Sequence, residues 1–165
     1  MGARDGKRVR ATPTATGRAR VVTRRTVVEL LELDDANARH LAAKLIHDFY
    51  QRVVADNQLW PYFIDQWGQD NMQAIRRHLS EVVLVLWGPP IDGKTFEALG
   101  ARLRAAHEPY AIKPEHYTLL VAHLWSAALE LRLPGDAIKP ILEASVDVAP
   151  FVMPHHYPAT MEGVT

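Results

Sequence analysis

His107 is the residue of this chain best placed for chemistry, because it lies beside apolar helix positions and just before a proline. Leu103 precedes it by one helical turn on the same face, so the imidazole is expected to face apolar surroundings. Pro109 interrupts the helix and leaves nearby backbone carbonyls free, one of which can accept the second ring N–H and fix the tautomer. An imidazole held in this way can bind a metal-centred cofactor from one side.

An apolar, aromatic segment lies upstream of this histidine and offers an opposite wall. It comprises Phe49, Tyr50 and the run from Trp60 to Phe63. A buried tyrosine hydroxyl needs a hydrogen-bond partner, and a small ligand on a metal would serve. The alternative for Tyr50 is a position at the core edge, with its hydroxyl in water. Phe63 fits either the core or the wall of a cofactor site. Together with His107, these residues suggest a haem pocket.

His78 is a second candidate ligand, because it flanks the apolar face formed by Ile75 and Val82. Three roles remain open for it: a solvated side chain, a partner for a cofactor carboxylate, or a second iron ligand. Solvation is the commonest of these for a histidine at such a position. Arg76 and Arg77 either pair with the same cofactor carboxylates or lie on the solvent-exposed face of the helix.

Composition excludes several other classes of site. The chain has no cysteine, so it forms no disulfide and no thiolate site, and a transition metal would depend on the 8 histidines. Hydrophobic residues make up 48% of the chain, yet no run approaches the length of a membrane span. Glycine-rich phosphate loops and the HExxH and GxSxG motifs are absent. The tryptophans lack interleaved basic residues, so no nucleic-acid partner is expected.

Charge divides the chain into segments, although the formal net charge is zero. Residues 1–25 contain eight lysines and arginines and a single acidic residue, Asp5. We predict a disordered basic arm over 1–25, one domain over 26–153 and a flexible tail over 154–165. Solvated disorder is favoured for the arm over contact with nucleic acid, anionic lipid or its own acidic domain. Because the arm lacks the apolar stretch of a secretory signal, we expect a cytoplasmic protein.

Hydrophobic periodicity predicts helices throughout the domain, so the fold class is all-α. Asp34 or Asp35 caps a first long helix that ends near Asp56, and the aromatic run to Phe63 forms a tight corner. The next helix is expected to start at a cap formed by Asp70 and Asn71. A further helix is expected to lead to His107, and another to run from Pro114 to about Arg132. A turn at 134–136, with Asp136 as cap, is then expected to precede a last helix that ends at about Val152.

Several short motifs, in order and at matching spacing, resemble those of the truncated (two-over-two) haemoglobins, and the first group of that family most closely. Residues 48–56 and 61–63 resemble its DFYxRVLAD and PFF motifs, and residues 71–89 resemble its distal helix. Ala106-His107, Ile112, residues 115–117 and His123-Leu124 resemble AH, GI, EHF and HL. The closing motifs VP, VL and VAP have counterparts at 133–134, 141–142 and 148–150. The resemblance covers about residues 38–152.

This resemblance implies a globin-like two-over-two helical sandwich that binds haem b (iron protoporphyrin IX), with His107 as the proximal iron ligand. It implies that Phe63 packs against the porphyrin and that Tyr50 donates a hydrogen bond to the bound ligand. His78 falls where some relatives keep a histidine that closes onto the iron. The remaining residues implied to contact the cofactor or its ligand are Phe49, Ile75, Leu79, Val82, Leu103, Ile112, Tyr117 and Leu120.

The sequence departs from the family pattern in three places. Residues 33–36 replace the usual Gly-Gly, and the segment 91–105 before the proximal histidine is longer than usual. Ile75 and Leu79 are apolar where relatives often place glutamine, so Tyr50 and His78 are the remaining candidates for a polar contact with a ligand.

The resemblance implies reversible binding of dioxygen, nitric oxide or carbon monoxide by a monomer or weak homo-oligomer. It extends to nitric oxide dioxygenation, which requires an external reductase. One alternative is a bis-histidyl haem protein that uses His107 and His78 for electron transfer or for redox or gas sensing. Another is a helical interaction module that has lost haem.

Overall fold

The computed structural model describes residues 25–157, without the side chains at positions 66, 67, 69 and 70. Nearly all of the predicted basic arm and the tail beyond residue 157 lie outside this range. The described part is all-α, as the sequence predicts, and contains no strand. Its helices are α1 (Val27–Leu30), α2 (Asp35–Ala55), α3 (Leu59–Trp87), α4 (Gly93–His107), α5 (Pro114–Glu130) and α6 (Gly135–Val152).

Side chains at the helix starts explain where two of these helices begin. The Asp34 carboxylate accepts the backbone N–H of Asn37 at 2.7 Å, and Asp92 accepts that of Thr95 at 2.8 Å. Both bonds satisfy backbone donors that have no partner within the helix. The predicted start of α2 at the Asp34–Asp35 pair is therefore confirmed.

The segment from Asn57 to Asn71 differs from the prediction. Helix α3 already begins at Leu59, so Pro61 lies in its first turn, where a missing N–H costs little. A second helical segment does begin in this region, but it starts after the break at Gly68, slightly before the expected position at Asp70 and Asn71. The change of direction occurs instead at Gly68, whose φ of 70° and ψ of 159° suit a residue without a side chain.

Two predicted boundaries near the last helix are also corrected. Helix α5 ends at Glu130, slightly before the expected Arg132, which has a positive φ of 53°. The residue at the N-cap of α6 is Pro134, which provides no side-chain cap, and Asp136 lies inside the first turn. The predicted end of α6 at Val152 is confirmed.

The helices form two packed layers. Helix α2 packs against α3 and α5, while α3 and α5 both contact α6, so the α2–α3 pair lies over the α5–α6 pair. Trp87 is fully buried in the main core, and its indole N–H donates to the carbonyl of Ala137 at 3.0 Å. Helix α4 packs mainly on α6. Between residues 25 and 157, no helix has the length and apolar character needed to cross a membrane.

Candidate functional site

His107 is the last residue of α4, and its imidazole is half-buried. Its Nδ1 lies 2.8 Å from the carbonyl oxygen of Leu103. Because a carbonyl only accepts, Nδ1 must donate the proton in this bond, and a neutral ring then keeps its lone pair on Nε2. This is the tautomer that a metal ligand requires, and the backbone bond holds the ring orientation. A backbone carbonyl therefore accepts from the His107 ring, as expected, but it is that of Leu103 within α4 and not one left free by the break at Pro109.

The helix that carries His107 lies unusually close to α6. A side chain at Gly100 would begin 2.6 Å from the ring of Phe151, so only glycine permits this approach without a shift. Phe96 packs edge-on against the same ring, at 6.0 Å between centroids. The aromatic contact and the missing side chain together fix the position of α4 on α6.

A second set of contacts ties the end of the described chain to the same helix. Arg104, one turn before His107, donates to the carbonyl oxygens of Pro150, Pro154 and Tyr157 at 3.2 to 3.4 Å. The ring of His155 donates from Nε2 to the carbonyl of Glu108 at 2.9 Å. The predicted flexible tail therefore does not begin at Pro154, which is buried. The chain is attached to α4 as far as residue 157, because one guanidinium satisfies several carbonyls there.

The aromatic residues on the other side of the fold form one cluster. Phe63 is 7% exposed and packs with the buried side chains of Val53 and Leu59. Phe49 and Leu120 pack against this cluster, so the structure brings together three of the residues expected at the cofactor. This apolar cluster joins α2, α3 and α5.

Tyr50 lies next to this cluster, with two neighbours that the sequence does not predict. Its ring meets Trp60 edge-on at 6.0 Å, and the guanidinium carbon of Arg76 lies 4.7 Å from the ring centroid. Such a geometry allows a favourable cation–π interaction. The guanidinium therefore restrains the aromatic ring that is the candidate donor to a bound ligand.

The residues expected on the distal face of α3 differ in burial. Leu79 packs against the main core, and Ile75 is half-buried. Val82 is 38% exposed, and His78 is exposed, with no hydrogen bond among the residues described. No contact within the described range joins His78 to His107.

Ile112 and Tyr117 lie together on the α4–α6 side of the fold. Ile112 is 3% exposed, and Tyr117 packs beside it. The Tyr117 hydroxyl donates to the carbonyl of Ser145, and burial, with a smaller contribution from Tyr157, raises its pKa to about 12. Tyr117 therefore anchors α5 to α6 as a neutral phenol.

The two helices that carry His107 and the expected distal residues leave apolar surface uncovered. Helices α3 and α4 do not pack closely on each other, and apolar side chains on both are exposed: Val85 on α3 by 50% and Leu99 on α4 by 44%. Within residues 25–157, no cluster of three metal-ligating side chains occurs. A single imidazole with a free Nε2 suits a metal whose remaining ligands belong to a cofactor, as in haem.

The sequence does not predict the hydrogen bond between His123 Nε2 and the Asp56 carboxylate. The two side chains lie 2.7 Å apart and are largely buried. The other Asp56 carboxylate oxygen accepts the backbone N–H groups of Gln58 and Leu59, at the start of α3. Both residues stand in motifs noted above, but their spacing gives no indication that they meet. This contact attaches the turn between α2 and α3 to helix α5.

Replacement of Asp56 by asparagine should lower the stability of the protein at neutral pH and have less effect in acid. The hydrogen bond from His123, followed by the backbone N–H groups, lowers the pKa of Asp56 in the folded state. The folded state therefore binds fewer protons, and this stabilisation is complete above the unfolded pKa of about 3.9 and is lost as the pH falls through the folded value. Urea unfolding at pH 7 and pH 3 measures the difference. An equal loss at both pH values would contradict the assignment.

The fold and the site define an all-α protein with globin-like helical layers and one well-oriented imidazole at the end of α4. No protein-family model matches the chain. The chain is 27% identical to the Group 1 truncated hemoglobin GlbN of Mycolicibacterium paratuberculosis over 106 residues, which are 64% of this chain and 71% of that relative. This similarity supports a distant relationship to the truncated haemoglobins.

Proposed function

We propose that this protein holds haem b through His107 and reversibly binds dioxygen, nitric oxide or carbon monoxide. The observation that carries the proposal is the bond from His107 Nδ1 to the Leu103 carbonyl, which leaves Nε2 as the free ligand atom. The similarity to a protein named as a truncated hemoglobin supports it independently. Haem supplies an iron centre with an open position for the gas.

The residues of this chain would then have separate tasks. His107 holds the cofactor, Phe63 and Leu120 provide an apolar surface, and the hydroxyl of Tyr50 donates a hydrogen bond to the ligand. Nitric oxide dioxygenation belongs to the same proposal: nitric oxide and dioxygen combine to give nitrate with one electron from an external reductase.

Titration of the purified protein with ferric haem tests the proposal. We expect saturation at one haem per chain and a sharp Soret band, which shifts when carbon monoxide is added after reduction. His40→Ala, a change at an exposed histidine on α2, serves as the control and should titrate like the wild type. A wild-type protein that develops no Soret band would overturn the proposal.

The second candidate function is a bis-histidyl haem protein with His78 as the other ligand. Its support is that His78 makes no hydrogen bond in the described structure and is therefore unrestrained. Its exposure favours the first candidate, because the side chain must move inward to reach the iron. The ferric spectrum separates the two: a low-spin spectrum that becomes high-spin in His78→Ala identifies the bis-histidyl form, and an unchanged high-spin spectrum excludes it.

A further inference from the structure

A polar groove of about 210 Å³ runs along the outer seam between α2 and α3. Ala43 and Ile46 of α2 form one side of it. The α3 side is formed by Gln73, Arg76, Arg77 and Ser80. The groove thus contains two guanidinium groups and a carboxamide over a small apolar floor.

Among the side chains that the structure describes, no carboxylate pairs with the two arginines that line the groove. Arg77 is exposed and has no ion pair among the residues described. The neighbouring cations differ in this respect: Arg39 lies 3.1 Å from Glu81, and Lys44 lies 3.1 Å from Asp48. The two arginines that line the groove therefore have no carboxylate partner among the described side chains, whereas the cations Arg39 and Lys44 beside it are paired.

Arg76 is held by neutral partners. Its Nη2 lies 2.8 Å from Nδ1 of His47, and because a guanidinium only donates, His47 accepts in this bond. The same guanidinium lies over the Tyr50 ring at 4.7 Å. An imidazole lone pair and an aromatic face orient the arginine without cancelling its charge.

We propose that this groove binds an oxyanion of the phosphate class between Arg76 and Arg77. Guanidinium groups bind phosphate oxygens through paired, charge-assisted hydrogen bonds, and the Gln73 amide adds a neutral donor. The groove is open to solvent, and its volume of about 210 Å³ is large enough for a phosphate group. The occupant is either free phosphate or the phosphate of a small ester.

Anion binding in the groove also affects the candidate gas site, because Arg76 lines the groove and contacts Tyr50. A bound anion shares the Arg76 guanidinium with His47 and the Tyr50 ring and so weakens the contact of Arg76 with that ring. The orientation of the Tyr50 hydroxyl changes as a result, and with it the rate at which a bound gas escapes. This consequence rests on the proposed function, whereas the anion site itself does not.

Calorimetric titration with inorganic phosphate, at constant ionic strength with chloride, tests the site. We expect saturable binding to the full-length protein that Arg77→Gln weakens by at least about tenfold, because it removes one charge-assisted contact. The matched control is Arg102→Gln, at an exposed arginine of α4 away from the groove, and it should bind like the wild type. Far-ultraviolet circular dichroism of both variants confirms that they are folded.

A second titration, with glycerol phosphate, identifies the source of the anion. Tighter binding than inorganic phosphate indicates an ester, and equal or weaker binding indicates free phosphate. No saturable binding by the wild type, or equal loss in Arg77→Gln and Arg102→Gln, would overturn the site. If phosphate binds but carbon monoxide release from the haem-loaded protein is unchanged, the proposed coupling to Tyr50 is wrong.

If the protein does not bind haem at all, the proposed function is refuted, but the phosphate titration still tests the anion site by itself.

Discussion

His107→Gly is expected to remove stable haem binding while leaving the fold intact. The imidazole is the one ligand that the site offers in the tautomer with a free Nε2. Loss of a residue that merely supports a ligand costs roughly 10- to 100-fold in metal affinity, so loss of the ligand should cost more than about 100-fold. Haem transfer to apomyoglobin, followed by absorbance, measures the release rate. Circular dichroism checks that the helix content is unchanged.

Added imidazole distinguishes loss of a ligand from loss of structure. In His107→Gly, free imidazole should enter the vacated space and restore the Soret band, because it replaces the missing ring atom for atom. His40→Ala should need no rescue, since that side chain is exposed on α2. If His107→Gly without imidazole retains haem as well as the wild type does, another residue holds the iron.

Trp87→Ala is expected to have the largest effect on stability, a loss of about 3–5 kcal/mol in the free energy of unfolding. Trp87 is fully buried where α3 meets α6, so its removal leaves a cavity in the main core. The substitution also leaves the carbonyl of Ala137 without its indole donor. Since domains of this size are typically stable by about 5–15 kcal/mol, the variant should be close to unfolding. Urea denaturation of the haem-free protein measures the loss.

Two further variants show which property of Trp87 matters. Trp87→Phe keeps much of the apolar volume and removes the N–H, so it should cost about 1–3 kcal/mol. Trp125→Ala changes a tryptophan that is 40% exposed on α5, and it should cost clearly less than Trp87→Ala. Equal losses at both tryptophans would contradict the burial argument.

The helices were predictable from the sequence because their signals are local. Asp34 is the N-cap residue of α2, and Pro114 lies in the first turn of α5. The start predicted at Asp70 is slightly late, because the second helical segment of α3 already begins after Gly68. The backbone there depends on Gly68, whose freedom to adopt a positive φ allows the chain to change direction between two helical segments.

The candidate site was predictable in the same local sense. His107 and Leu103 are one turn apart on α4, so helix geometry brings the ring within reach of the Leu103 carbonyl. The aromatic cluster was predictable only as a set of apolar positions. That Phe63 packs with Leu120, on a distant helix, depends on how α3 crosses α5.

The sequence by itself determined the all-α class, most helix boundaries and the histidine that ends α4, because periodicity, capping and proline breaks act over a few residues. Only the tertiary structure decided the contacts between distant segments: Asp56 with His123, Arg104 with the carbonyls near Tyr157, and Gly100 against the ring of Phe151. These contacts depend on the relative positions of whole helices. A single sequence carries no local signal for them, since the same side chains on differently packed helices would not meet.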